Sequence, residues 1–197
     1  MKTALLVIDA QKIYTDPDSE MNCKDSTATI KRINKLIKKI DKSGIAIFYV
    51  RHIHKRNGSD LGRLFDYTGE KPESFNFKEG SEEVKYDENL LLADKRKEII
   101  KNRYNAFTNT NLNKMLKKLK IKKVVICGFM TNFCCESTAR GAHDLDYYVD
   151  FVVDATGTPG TDSISENKIR RIVSELLSEG FACVYKTNEY LKIISNN

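Results

Sequence analysis

Val124-Val125-Ile126-Cys127-Gly128, followed at once by Phe129-Met130-Thr131-Asn132-Phe133-Cys134-Cys135, is the stretch that decides the fold. Four apolar residues closed by a glycine read as a strand covered on both faces, as central strands of parallel sheets are. The residues from about Asn132 to Asp144 read as a helix directly after it. A buried strand feeding a helix is the unit from which a parallel sheet wrapped in helices is built.

The same alternation extends outward in both directions. Upstream, Leu112, Met115, Leu116 and Leu119 recur at helical spacing behind the polar Thr108–Asn111 stretch. Before them come short apolar runs at Ala4–Ile8, Ile45–Val50 and Glu98–Lys101. A helix from about Ser26 to Lys42 carries Ile30, Ile33, Leu36, Ile37 and Ile40 on one face, with Gly44 as its stop. Downstream, Tyr148–Val153 reads as a fifth strand and Ala182–Tyr185 as a sixth, before a short terminal helix. Between them, Ser163-x-x-Glu166 reads as a capping box for a helix through Leu177. Its expected inner face is Ile169, Ile172, Val173, Leu176 and Leu177. The pattern predicts one α/β domain over residues 1–197, three layers α/β/α with a six-stranded, mainly parallel, Rossmann-like sheet.

One segment breaks the rhythm. Residues 51–95 carry at most a turn or two of helix, and loops that long in a compact domain are usually functional. Phe65, Tyr67, Phe75 and Phe77 give this segment enough apolar surface to act as a lid or an oligomer contact.

Composition narrows the function. At 197 residues, with 41% apolar and 30% charged side chains, the chain can bury a full core without disulfide or metal staples. Its five cysteines are an odd number with no CxxC pair, which argues for reduced thiols and a cytoplasmic location. The apolar run at the start stops at Asp9, too short for an export signal, and no run approaches the ~18 residues of a membrane span. The net charge of +6 comes from lysines at 31–42 and 114–123 that alternate with apolar residues as the wet faces of helices do. No aromatic interleaving or basic arm accompanies them, so no nucleic-acid partner is expected.

Ligands of doubly wound sheets bind beyond the carboxyl ends of the strands. Asp9 ends the first predicted strand, Lys101 the third, and Gly128 to Cys134 link the fourth to its helix. In the first turn of that helix, free N–H groups and the dipole favour a Cys134 thiolate. Lys101 would lower the thiol pKa further, and Asp9 could take its proton. Each residue alone also has a structural reading: a packed cysteine, a turn-capping aspartate, a solvated lysine. Cys135 reads as packing, and Cys127 and Cys183 as inert strand residues.

Leu5-Leu6-Val7-Ile8-Asp9-Ala10-Gln11 with Tyr14, Ile100-Lys101-Asn102-Arg103-Tyr104-Asn105-Ala106-Phe107, Cys127 through Arg140, and Val152-Val153-Asp154-Ala155 together resemble the isochorismatase-like cysteine hydrolases. The motifs follow that family's order across nearly the whole chain. The resemblance implies that Asp9 accepts the Cys134 proton and the thiolate attacks an amide carbonyl. It also implies an oxyanion site made by the Met130 and Cys134 amides, a cis peptide joining Phe129 to Met130, and Lys101 holding charge in the site. By proximity to these motifs, Gln11, Tyr14, Phe107, Phe129 and Phe133 are candidate pocket residues.

Two departures shape the expectation. Nicotinamidases of the family bind a metal through an Asp-x-His after the second strand, where this chain reads Arg51-His52-Ile53-His54. His143 is the other histidine, so no metal and no cofactor are expected, although His52 and His54 on one side of an extended chain could reach one. Family enzymes that cleave isochorismate typically lack the cysteine retained here as Cys134. The expected activity is hydrolysis of a C–N bond in a small amide or ureido substrate, by a chain that associates with itself as a dimer or larger. Isochorismatase or nicotinamidase activity is the alternative. A thiol redox role for Cys134 and Cys135 would need a strained vicinal disulfide, and Gly157-Thr158-Pro159-Gly160 is weak as a phosphate loop.

Overall fold

The computed structural model describes residues 1–195 other than 67, 71 and 73. Six strands, β1 (Thr3–Ile8), β2 (Ala46–His52), β3 (Lys97–Lys101), β4 (Lys123–Phe129), β5 (Tyr148–Gly157) and β6 (Cys183–Tyr185), form one sheet in the order β3-β2-β1-β4-β5-β6. Every strand pair is parallel. Alternate strand residues therefore build two apolar layers. Leu5, Val7, Tyr49, Val125 and Cys127 pack against α2 (Ser26–Lys42) and α6 (Thr187–Ser195). Leu6, Ile8, Phe48, Val50, Val124 and Ile126 pack against α3 (Leu112–Lys118), α4 (Glu136–Asp144) and α5 (Glu166–Ser178). A short α1 (Lys12–Thr15), not expected from the pattern, follows β1.

The isoleucine stripe of α2 shows why it forms. Ile30, Ile33, Leu36, Ile37 and Ile40 are all buried while lysines occupy the other face. Each such side chain contributes roughly 1.5–3 kcal/mol of burial. Gly44, at φ 68°, takes the left-handed conformation that stops the helix.

Three boundaries differ from the sequence reading. Ser165, not Ser163, caps α5, its Oγ accepting from the Lys168 amide at 3.4 Å. The Glu166 carboxylate instead accepts the Lys24 amide across the molecule, so no capping box closes. With the helix starting there, its buried stripe is Ile169, Val173 and Leu177, and Ile172 and Leu176 face outward. β5 runs past Val153 to Gly157, because a register shift between Ile126 and Gly128 of β4 re-pairs Gly128 with Thr156 and Phe129 with Gly157. β2 continues to His52, held in register with Lys101 of β3.

Residues 53–96 cross this end of the sheet with isolated bridges, Gln11 to Tyr86 and His54 to Lys78, as their regular pairing among the described residues. Phe77 is buried and Phe65 packs on the same layer. Tyr67, expected in this apolar set, lies outside the described residues. No helix among the described residues is long and apolar enough to cross a membrane.

Candidate active site

Asp9 follows the last residue of β1 in a left-handed conformation, φ 45°, uncommon for a side chain with a Cβ. Its amide donates to the Val50 carbonyl at 2.9 Å, which fixes it to the end of β2. Lys101 is the last residue of β3. Gly128, at φ 123°, lets β4 pass hard against β1, since a Cβ there would run into the Ile8 carbonyl. The chain then enters a π-helical turn, Thr131–Cys135, before α4. Cys134 lies within this turn and not in the first turn of an α-helix as the sequence suggests. Single π turns recur at functional positions because they re-aim one side chain.

Three residues far apart in sequence meet here. The Lys101 ammonium is 2.7 Å from the Asp9 carboxylate and 3.2 Å from Cys134 Sγ, and donates to the Arg103 carbonyl at 3.1 Å. An ammonium has three hydrogens, and these are its three acceptors. Asp9, Lys101 and Cys134 are each at most 2% exposed. The Asp9 carboxylate has lone pairs beyond the one that faces Lys101, so it can accept a proton.

The electrostatics follow from burial. Removal from water raises the Asp9 pKa above the ordinary carboxylate value, with the Lys101 charge pulling it back only in part. Burial opposes the charge on Lys101, but the facing Asp9 carboxylate and Cys134 sulfur overcome it and hold the pKa up. The Cys134 thiol is pushed up to about 12 by burial, against the lowering from Lys101 and with a further rise from Asp9. Burial thus opposes the thiolate that the helix end and Lys101 favour, and a base is needed to take the proton. Burial also raises Cys127 and Cys135 with no cation in direct contact.

The Phe129–Met130 peptide is cis. The Met130 carbonyl accepts from the Phe133 and Cys135 amides at 3.2 and 3.1 Å, which skips the Cys134 amide between them. The turn is braced by Thr131 against Thr156, Oγ1 to Oγ1 at 2.8 Å, and by Thr158 donating to Asn132 at 2.9 Å.

The pocket candidates separate by environment. Tyr14 is buried and stacks on Phe129 with ring centroids 5.6 Å apart. Phe133 is 38% exposed and leans on Tyr104. Phe107 stacks on Tyr147. Gln11 uses its carboxamide on main chain, accepting from the His52 amide at 2.8 Å and donating to the His52 and Val84 carbonyls. Its role here is to tie the end of β1 to the end of β2.

His52 is the neighbour that sequence reasoning left out of the site. A ring nitrogen of His52, a carboxylate oxygen of Asp9 and Cys134 Sγ lie within 4.8 Å of one another. Among the described residues this is the one grouping of three potential metal donors. It does not fit a cation, because the Lys101 ammonium lies against two of its three members. The usable signal was the His-x-His spacing in a chain that continues β2 opposite Lys101.

Comparison with known proteins shows the family of the chain. The family model for the isochorismatase domain matches residues 3–187. Nicotinamidase 3 of Arabidopsis thaliana is 31% identical over 160 residues, covering 79% of this chain and 73% of that protein. The ureidoacrylate amidohydrolase of Agrobacterium fabrum is 33% identical over 95 residues, 48% of this chain and 40% of that protein. The crystal structure of a cysteine hydrolase from Pseudomonas syringae superposes with a TM-score of 0.91 at 26% identity, covering 99% of this chain and 93% of that one. With the parallel sheet in place and the match spanning nearly the whole sequence, the chain belongs to the isochorismatase family as a cysteine hydrolase.

Proposed function

We propose that this hydrolase cleaves the C–N bond of a small amide or ureido compound through a thioester on Cys134, without a metal. The observation that carries the reading is the Lys101 ammonium held at once against the Asp9 carboxylate and Cys134 Sγ, 2.7 and 3.2 Å away in a dry site.

Asp9, with its raised pKa and lone pairs beyond the one that faces Lys101, takes the thiol proton as the sulfur attacks the carbonyl carbon. Lys101 stabilises the sulfur charge as it forms. The Met130 and Cys134 amides stabilise the tetrahedral oxyanion. Asp9 then gives its proton to the departing amine, which leaves a thioester on Cys134. Next, Asp9 takes a proton from water; the hydroxide displaces the sulfur, the acid departs, and the thiol is restored.

Cys134 is 1% exposed, so substrate entry requires movement of what covers it. The loop that follows β2, within residues 51–95, is the proposed lid. Five free cysteines fit work in a reducing cytoplasm. Self-association as a dimer or larger completes the proposal.

The test is a panel of primary amides, ureido acids and nicotinamide, read by turnover and by intact mass. A substrate is expected to leave an acyl adduct on the wild-type chain and none on Cys134→Ala. Turnover that survives in Cys134→Ala would overturn the covalent mechanism.

A further inference from the structure

His52 and His54 lie beside the candidate active site as a buried pair, 1% and 0% exposed, with Nε2 to Nε2 at 3.0 Å. Two ring nitrogens at that distance share one hydrogen, so one donates and the other accepts. Asp60 decides which. Its Oδ1 is 3.4 Å from His54 Nδ1. The Asn102 amide and the Lys55 main-chain N–H also donate to the Asp60 carboxylate, at 3.2 and 3.0 Å. Against the pull of its own desolvation, these donors hold Asp60 ionised. His54 Nδ1 makes no aligned hydrogen bond, and the facing carboxylate favours a hydrogen there over a lone pair. Burial and the neighbouring cations keep both rings neutral. His54 Nε2 is then bare and accepts from His52 Nε2–H, and His52 Nδ1 carries a lone pair.

That nitrogen has no partner among the described residues and no contact with water. Buried acceptors are nearly always satisfied, so one without a partner points to a ligand. The plane of the ring is set by its neighbours. The ring stacks on Phe77 with centroids 4.3 Å apart, and Gln11 holds the His52 main chain on both sides.

We propose that His52 Nδ1, its tautomer set by the Asp60–His54 chain, is the acceptor for an N–H on the scissile nitrogen of the substrate. The proposal rests on Cys134 being the nucleophile. It narrows the substrate class to primary amides, N-carbamoyl compounds and others with at least one N–H at the leaving nitrogen. Esters and fully substituted amides leave Nδ1 unpaired in the complex. A site that binds a polar group rejects analogues lacking it because its own buried partner is stranded.

The experiment compares a primary amide found in the panel with the methyl ester of the same acid, on wild type, His52→Phe and His52→Asn. His52→Phe is expected to lower kcat/KM for the amide at least tenfold more than for the ester. His52→Asn, with an acceptor oxygen near the Nδ1 position, is expected to recover part of the amide preference. An equal loss on both substrates would mean a structural role only and would overturn the proposal. Nitrogen NMR of histidine-labelled wild-type protein gives a second readout that needs no variant. It is expected to find His52 protonated at Nε2 and His54 at Nδ1, and the opposite tautomers would overturn the proposal. Ester acylation of Cys134, seen by mass, separates this from the parent reading: an adduct with no tautomer effect sinks only His52, and no adduct sinks the nucleophile.

Discussion

Two polar clusters share the same end of the sheet, nearly equal in burial, one an ion pair and the other a pair of imidazoles. Asp9 and Lys101 form an ion pair at zero side-chain exposure, each facing the other at 2.7 Å. His52 and His54 are as deeply buried, but the charges their rings face include the Lys101 and Arg103 cations. Burial therefore strips the histidines of charge, while Asp60 at 3.4 Å orients His54 without protonating it. For Lys101 the facing anions outweigh burial, whereas for His52 and His54 burial outweighs every neighbouring charge. A cluster of paired charges can move protons and stabilise a forming thiolate; a neutral imidazole pair can only hold and direct hydrogens.

The largest effect should come from the charged cluster. Cys134→Ala is expected to lower amide hydrolysis by on the order of 10⁴-fold or more with little change in stability, measured by turnover alongside urea melts. Retained activity would move the chemistry away from Lys101 and Asp9. Next is Lys101→Met, which strands a buried carboxylate and should destabilise the chain by about 3–5 kcal/mol. Adding Asp9→Asn should return most of that stability and none of the activity. A single variant as stable as wild type would show that the ion pair is not what keeps Asp9 charged.

The neutral cluster should appear in the pH dependence of stability. Both histidines titrate below their ordinary 6.5 when folded. Below about pH 6.5 the unfolded chain takes up protons that the folded chain refuses, so stability is present above that pH and is lost as pH falls. Each histidine contributes a slope of up to about 1.4 kcal/mol per pH unit. Urea melts between pH 5 and 7.5 should show this slope, and it should flatten in His54→Gln. A profile level across that range would mean that the pair is protonated in the fold. The smallest effect is expected from strong chelators, which should leave activity unchanged. Loss on chelation with recovery on added zinc would show that the histidines hold a metal after all.

Much of this architecture is legible in the residues. The apolar run Val124–Cys127 with its glycine, the isoleucine spacing of α2 and the strand-terminal positions of Asp9 and Lys101 are local patterns. A strand period of two and a helical period of about 3.6 expose them without knowledge of contacts. The boundary of α5 was less legible, because Ser163 and Ser165 offer the same chemistry and packing chose between them.

The sequence by itself determined which side chains could do chemistry and which strand ends carry them, since backbone direction follows from chain order. The tertiary structure alone decided the burial and pairing that shift the proton affinities of the site. Cys134 reads as a thiolate while the helix end and Lys101 are its only known neighbours, and its burial opposes that charge. His52 became part of the site only when β2 ran on beside Lys101 and residues 53–96 brought Asp60 and Phe77 against the pair. Desolvation and pairing depend on contacts between residues distant in the chain, and no local pattern encodes them.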